Sequence, residues 1–361
     1  MPNASLHVIE VRGNSRQRGI QHGRQLRTAI DRAVSFYEEF FRQHLDMTPR
    51  EMQQRAARYI DPTAALSPHL ADEFEGIAEG SQHPLETIYA LTARYEITFE
   101  RIKLGECSNV FVGSDWSADG GTLLGMNWEW RPEVMDFRAV ITSRCDDGPD
   151  HIVVTECGSP GKYGLNEAGI AAIETGLGCS RPHGMGRQLF ANVIRHTLAQ
   201  ASLGDAVAVV RRHPPEATVS FMLADATGNG VNVECTPDGL HEQTLGGGDL
   251  AWHTNHCRLT TEPCDFADSF ARGRRWEQLL ADVAPASVDA QRVGAWLADR
   301  AGGADAICKL PNPASANSAT YLQTLCSIVL APRARATWVS DGPSCNFPYR
   351  SFALADQEAP V

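Results

Sequence analysis

Cys107 lies in Gly105-Glu106-Cys107-Ser108-Asn109-Val110-Phe111-Val112, where a helical pattern stops and a run of strand formers begins. A thiol is a weak nucleophile until a base takes its proton. A cysteine at the head of a strand has a special solution. If the bond from Glu106 to Cys107 breaks, the freed α-amine, with a pKa of ~7.7–8.0, serves as base for its own thiol. The spacing therefore raises the chemistry of a chain that cuts its own backbone and then works through the new N-terminus. The bland alternative is a packing cysteine, because free cysteine is among the most buried residue types. Ten cysteines are present, and no C-x-x-C pair occurs.

Other residues carry polar groups at useful places. Glu129 stands between two tryptophans in Gly125-Met126-Asn127-Trp128-Glu129-Trp130. An acid near an α-ammonium would favour the charged form and orient it. Asn127 reads equally well as a turn residue or as a polar group of a site. Asn255, in His253-Thr254-Asn255-His256, offers amide donors of the kind that stabilise an oxyanion, or else makes local backbone bonds at a strand end. His253, His256, Cys257 and Cys264 look superficially like zinc ligands, yet no second pair completes a four-ligand set, so no metal is expected. Gly246-Gly247-Gly248 lacks the Lys-Ser/Thr of a phosphate loop. No cofactor is expected.

These residues need a scaffold. His7–Val11 alternates like a strand. Helical patterns follow through Phe36, Phe40 and Phe41, over Asp72–Ser81, and from Pro84 through Tyr95. After Cys107 short strands are expected at 110–112, 123–124, 139–141 and 152–154, then a hairpin from Lys162 to Thr175 turning at Asn166–Gly169. A Gly/Pro/Ser-rich link spans 176–186. Helices are expected at 189–201, 205–213, 266–282 and 288–299. Strands are expected at 219–223 and 230–234, with a final hairpin of 324–330 and 336–340. Strand blocks flanked by helix blocks suggest helices on both faces of antiparallel sheets, in one domain.

Composition excludes some functions. A net charge of −12 argues against nucleic acid and anionic membranes as partners. No apolar run nears the ~20 residues of a membrane span. The start carries no secretory pattern and the end no peroxisomal tripeptide, so a cytoplasmic protein with free thiols is expected.

Taken together, several blocks resemble the acyl-coenzyme A:isopenicillin N acyltransferase family, cysteine members of the N-terminal nucleophile hydrolases. They are Gly19-x-x-x-Gly23, Gly76–Gly80, Arg94-Tyr95-Glu96, Cys107, Asn127-Trp128-Glu129, Gly161–Gly169, His253–His256, and the helix bearing Ser269, Arg272 and Arg275. The sequence departs from the family's acyltransferase in three places. Glu106 stands for a glycine, Ser108-Asn109 for a Thr-Thr pair, and Ala319–Leu322 occupies a stretch that carries an arginine.

The resemblance implies an α+β fold, a four-layer αββα sandwich over 1–361. It implies self-cleavage between Glu106 and Cys107 into an α segment 1–106 and a β segment 107–361, which remain partners. Cys107 would be the nucleophile, Asn255 an oxyanion donor, Glu129 the acid that holds the amine, and Asn127 a further site residue. Arg94, Glu96 and Ser108 would brace the cleavage loop. The expected reaction is hydrolysis of a linear amide in a small acylated substrate through an acyl-thioester. The alternatives are acyl-coenzyme A-dependent N-acyl transfer and an uncleaved, non-catalytic ligand-binding protein.

Overall fold

In the computed structural model, residues 6–99, 101–102, 107–179 and 187–354 are described. The chain opens with strand β1 (His7–Gly13) and then winds through helices α1 (Ser15–Gln25), α2 (Arg27–Leu45), α3 (Pro49–Ala56), α4 (Ile60–Leu66), α5 (Pro68–Ser81), α6 (Leu85–Thr92) and α7 (Arg94–Phe99). Local signals set these starts. Asn14 and Gln17 form a capping box, as do Thr48 and Glu51, and Pro49 and Pro68 occupy first turns. The glycines at 19, 23, 76 and 80 are explained by one crossing. α1 lies so close to α5 that a Cβ on Gly19 would stand 2.2 Å from the Glu73 carbonyl oxygen, and one on Gly76 2.3 Å from that of Arg16. Only glycine permits that approach.

After Cys107 the period becomes two. Strands β2 (Ser108–Val112), β3 (Leu123–Trp130), β4 (Arg138–Cys145), β5 (His151–Glu156), β6 (Tyr163–Asn166) and β7 (Ala171–Gly176) precede α8 (Phe190–Thr197) and α9 (Leu203–Arg212). Then come β8 (Val219–Ala224), β9 (Gly230–Thr236), β10 (Gly239–Leu245) and β11 (Leu250–His253). Helices α10 (Ala267–Leu280) and α11 (Ala290–Leu297) lead to β12 (Gln323–Ala331), β13 (Ala336–Ser340) and β14 (Tyr349–Ala353).

Two sheets result. One has the order β1-β4-β5-β6-β7-β8-β9-β10 and the other β11-β2-β3-β12-β13-β14. All pairings are antiparallel except β1 with β4, which is parallel. That one pair corrects the expectation of wholly antiparallel sheets: the long helical excursion after β1 supplies the crossover that a parallel pair needs.

Alternation along the strands sorts the layers. Val110, Val112, Leu123 and Val329 pack with Trp276, Val293 and Leu297 from α10 and α11. Phe111, Leu124, Met126 and Trp128 face the other way, into the larger core shared with the eight-stranded sheet. Beyond that sheet, α8 lies on β6 and β7, and α9 on β8. The architecture is the α+β sandwich of four layers, helix, sheet, sheet, helix.

Candidate active site

Cys107 stands at the head of β2, and Ser108 pairs with Asn127 of β3, so Cys107 lies across from Trp128. Both side chains belong to the core between the sheets. The thiol is buried and faces the Glu129 carbonyl oxygen at 4.0 Å. Burial first, then the Glu129 and Glu174 carboxylates, push the thiol far above its ordinary range. Glu106, on the other side of the expected cleavage bond, lies outside the described residues.

Arg272 gathers the site. It sits on α10 and is wholly buried. Its Nη1 donates to the Cys107 carbonyl at 2.8 Å and to Ser108 Oγ at 3.0 Å. Its Nη2 donates to Asn255 Oδ1 at 2.6 Å and Asp268 Oδ2 at 2.9 Å. One guanidinium therefore joins the Cys107 backbone to the Asn255 amide, as its rigid fork of donors allows. Asn255 follows β11, and its backbone N–H donates to Ser269 Oγ at 2.8 Å. Its Nδ2 donates to the Gly176 carbonyl at 2.7 Å. An amide nitrogen carries two hydrogens, so among the described residues one has no partner and can meet a ligand.

Asn127 and Glu129 behave differently. Alternation turns both toward the face covered by α10 and α11, away from the Cys107 thiol. Asn127 is a mid-strand residue, which excludes the turn role. Its Nδ2 donates to the carbonyls of Leu297 at 2.9 Å and Ile307 at 2.8 Å, and its Oδ1 accepts from Ser327. Glu129 Oε1 accepts from Thr324 Oγ1 at 2.7 Å, and Thr324 in turn accepts from the Lys309 N–H at 2.8 Å.

Arg94 and Glu96 point apart. Arg94 pairs with Glu156, whose Oε2 accepts from Tyr37 Oη at 2.7 Å. Glu96 Oε1 accepts from the Phe190 N–H at 2.9 Å, and burial raises its carboxyl to about 8.

The histidine–cysteine cluster has other employment. His253 Nε2 meets Glu234 at 2.9 Å, His256 Nδ1 meets Ser269 Oγ at 2.8 Å, and Cys264 Sγ donates to the Asn255 carbonyl at 3.3 Å. Among the described residues no group of three or more metal-binding side chains converges.

A family model, acyl-coenzyme A:6-aminopenicillanic acid acyl-transferase, matches residues 116–343, well over half the chain. The chain belongs to that family. The matched span includes Asn127, Glu129, Asn255 and Arg272 and begins shortly after Cys107. A relative, the acyl-coenzyme A:6-aminopenicillanic-acid-acyltransferase 40 kDa form of Emericella nidulans, is 26% identical over 284 residues, 76% of this chain and 77% of that one. Solved structures with partial likeness include a Caenorhabditis elegans N-acylethanolamine-hydrolyzing acid amidase ortholog (14% identity, TM-score 0.46, 69% of this chain and 100% of that one). Penicillin V acylase from Agrobacterium tumefaciens is another (15%, 0.40, 69% and 86%).

In this member of the acyl-transferase family, the candidate site gathers residues that spacing did not reveal. Lys162, Glu174, Tyr95 and Asn109 are buried around Cys107. Lys162 belongs to the Gly161–Gly169 block, so the sequence carried a signal, but not its neighbours. Tyr95 Oη reaches Gly176, where a Cβ would meet it at 2.0 Å. Tyr95 Oη and both polar atoms of the Asn109 amide lack partners among the described residues.

Proposed function

We propose that this protein is an autoprocessing enzyme that cleaves a linear N-acyl amide through an acyl-thioester on Cys107. The observation that carries the reading is the Arg272 clamp, which ties the Cys107 carbonyl to the Asn255 amide within one buried network. Cys107 Sγ would attack the carbonyl of residue 106, and water would release the segments 1–106 and 107–361. Contacts across the cut would hold them as one αββα unit. β1 pairs with β4, Arg94 with Glu156, and Glu73 with Arg195.

In turnover, the freed amine of Cys107 takes the thiol proton, and Sγ attacks the substrate carbonyl. The second N–H of Asn255 meets the developing oxyanion, a contact of a kind worth ~2.7–4 kcal/mol of barrier. The Glu129 carboxylate favours the ammonium form of the amine when it receives the proton. Water then resolves the thioester. Family membership and the Emericella nidulans relative favour a second reading, in which an amine resolves it and the donor is a coenzyme A thioester. Ten free thiols fit the cytoplasm as its compartment. No described helix is long and apolar enough to cross a membrane.

The test is a panel of N-acyl amines and acyl-coenzyme A thioesters, quenched in acid, with Cys107 peptides read by mass. An acyl adduct on Cys107 that disappears with turnover is expected. Turnover with no adduct, or turnover retained in Cys107→Ala, would contradict the reading.

A further inference from the structure

The uncut chain lacks the base that turnover uses. While Cys107 is joined to Glu106 its nitrogen is an amide and accepts no proton. Its thiol is buried, so cleavage near neutral pH needs another acceptor.

Lys162 stands beside it, at the entry to β6. Its Nζ lies 4.7 Å from the ring centre of Trp128, the residue across from Cys107, 4.6 Å from that of Tyr163 and 5.2 Å from that of Phe190. Lys162 is only 5% exposed. Among the described residues it has no hydrogen bond and no ion pair. Buried lysines are ordinarily paired with a carboxylate, so three aromatic faces are an unusual resting place. The charged and titratable groups around it come from five directions: Arg94 on α7, Cys107 at the head of β2, Glu156 on β5, Glu174 on β7 and Cys326 on β12. Arg94 and Glu156 are engaged with each other, and Glu174 accepts from Tyr163 Oη at 3.3 Å. Burial first, then Arg94, bring the Lys162 amine down to about 8, where its neutral form is accessible.

We propose that Lys162 is the proton carrier of self-cleavage, an inference that rests on the autoprocessing reading above. The neutral amine takes the Sγ proton of Cys107 and becomes ammonium. Sγ bonds to the carbonyl carbon of residue 106, and the carbon–nitrogen bond breaks. The ammonium returns the proton to the leaving nitrogen, which becomes the α-amine. Water then divides the thioester into a carboxylic acid and the free thiol. From that point the α-amine is the base for turnover.

The experiment follows cleavage of the full chain by denaturing mass spectrometry, in the wild type and in Lys162→Met, Lys162→Arg and Lys162→Ala. Near-ultraviolet circular dichroism checks folding. Lys162→Met should slow cleavage on the order of 10²–10⁴-fold, the usual contribution of a positioned acid–base group. Lys162→Arg should be slow as well, because guanidinium keeps its proton. The wild-type rate should rise with pH through about 8. Small primary amines should restore part of the rate in Lys162→Ala, the more basic ones more. A purely structural lysine would show neither the inflection nor the rescue. Wild-type cleavage with a flat profile from pH 7 to 9, or Lys162→Met cutting at the wild-type rate, would overturn Lys162 while leaving autoprocessing intact. A wild type that never cuts would overturn both.

Discussion

Two neighbourhoods on opposite faces of the six-stranded sheet treat buried polar groups in opposite ways. Around Asn127 the bonds are complete: its amide spends both hydrogens on the Leu297 and Ile307 carbonyls and accepts from Ser327, which also reaches Ser344. Around Cys107 they are not. Tyr95 Oη, the Asn109 amide and Glu174 Oε1 are buried without partners among the described residues. Each such group costs about 1–3 kcal/mol. A fold tolerates that expense where a substrate or a reacting group is to be met, so the open groups beside Cys107 fit the proposed chemistry, while the Asn127 side chain is spent on fastening.

The contrast is tested most severely at Cys107. Cys107→Ala should stay full length and show no turnover, read by mass and by amide assay. Next is Arg272→Met, which removes the donor from Cys107, Ser108, Asn255 and Asp268 together. A cost of about 3–5 kcal/mol in urea unfolding is expected, as for a broken buried pair, with turnover lost. Asn255→Ala should still fold and lose about 10²–10³ in kcat.

The acids add a pH signature. Burial raises Glu96 to about 8 and Glu174 to about 7. A raised acid keeps its proton in the folded state after the unfolded chain has released it. Stability from these groups is therefore full below about pH 4.5 and is lost as pH climbs toward 8. Glu96→Gln should flatten the decline between pH 7 and 8, a slope of at most about 1.4 kcal/mol per pH unit. Smallest is Asn127→Ala: about 1–3 kcal/mol of stability, with kcat changed only a few-fold. A large loss of kcat at unchanged stability would move Asn127 into the chemistry.

Much of the scaffold was legible in the sequence. Periodicity carried α2, α5, α9 and the β12–β13 hairpin, whereas the paired glycines stood out only as part of the family resemblance and showed their helix crossing once α1 lay on α5. β10 was not foreseen, because most of its length is polar and exposed at a sheet edge. β11 and β14, also at edges or ends of their sheet, carry too few alternating apolar residues to stand out.

The site was legible in part. Cys107 and Asn255 stood out by residue type and motif. Arg272 was visible as a residue but not as a clamp, because its role needs α10 laid against residues 165 positions away in sequence. The cage around Lys162 draws one ring each from β3, β6 and α8, a meeting that no local spacing encodes.

The central claim is that Cys107 becomes an N-terminus, and the intact mass of the purified full chain under denaturing conditions tests it most directly. The account predicts two masses that meet between Glu106 and Cys107. A single uncut mass after prolonged incubation from pH 7 to 9 would contradict it.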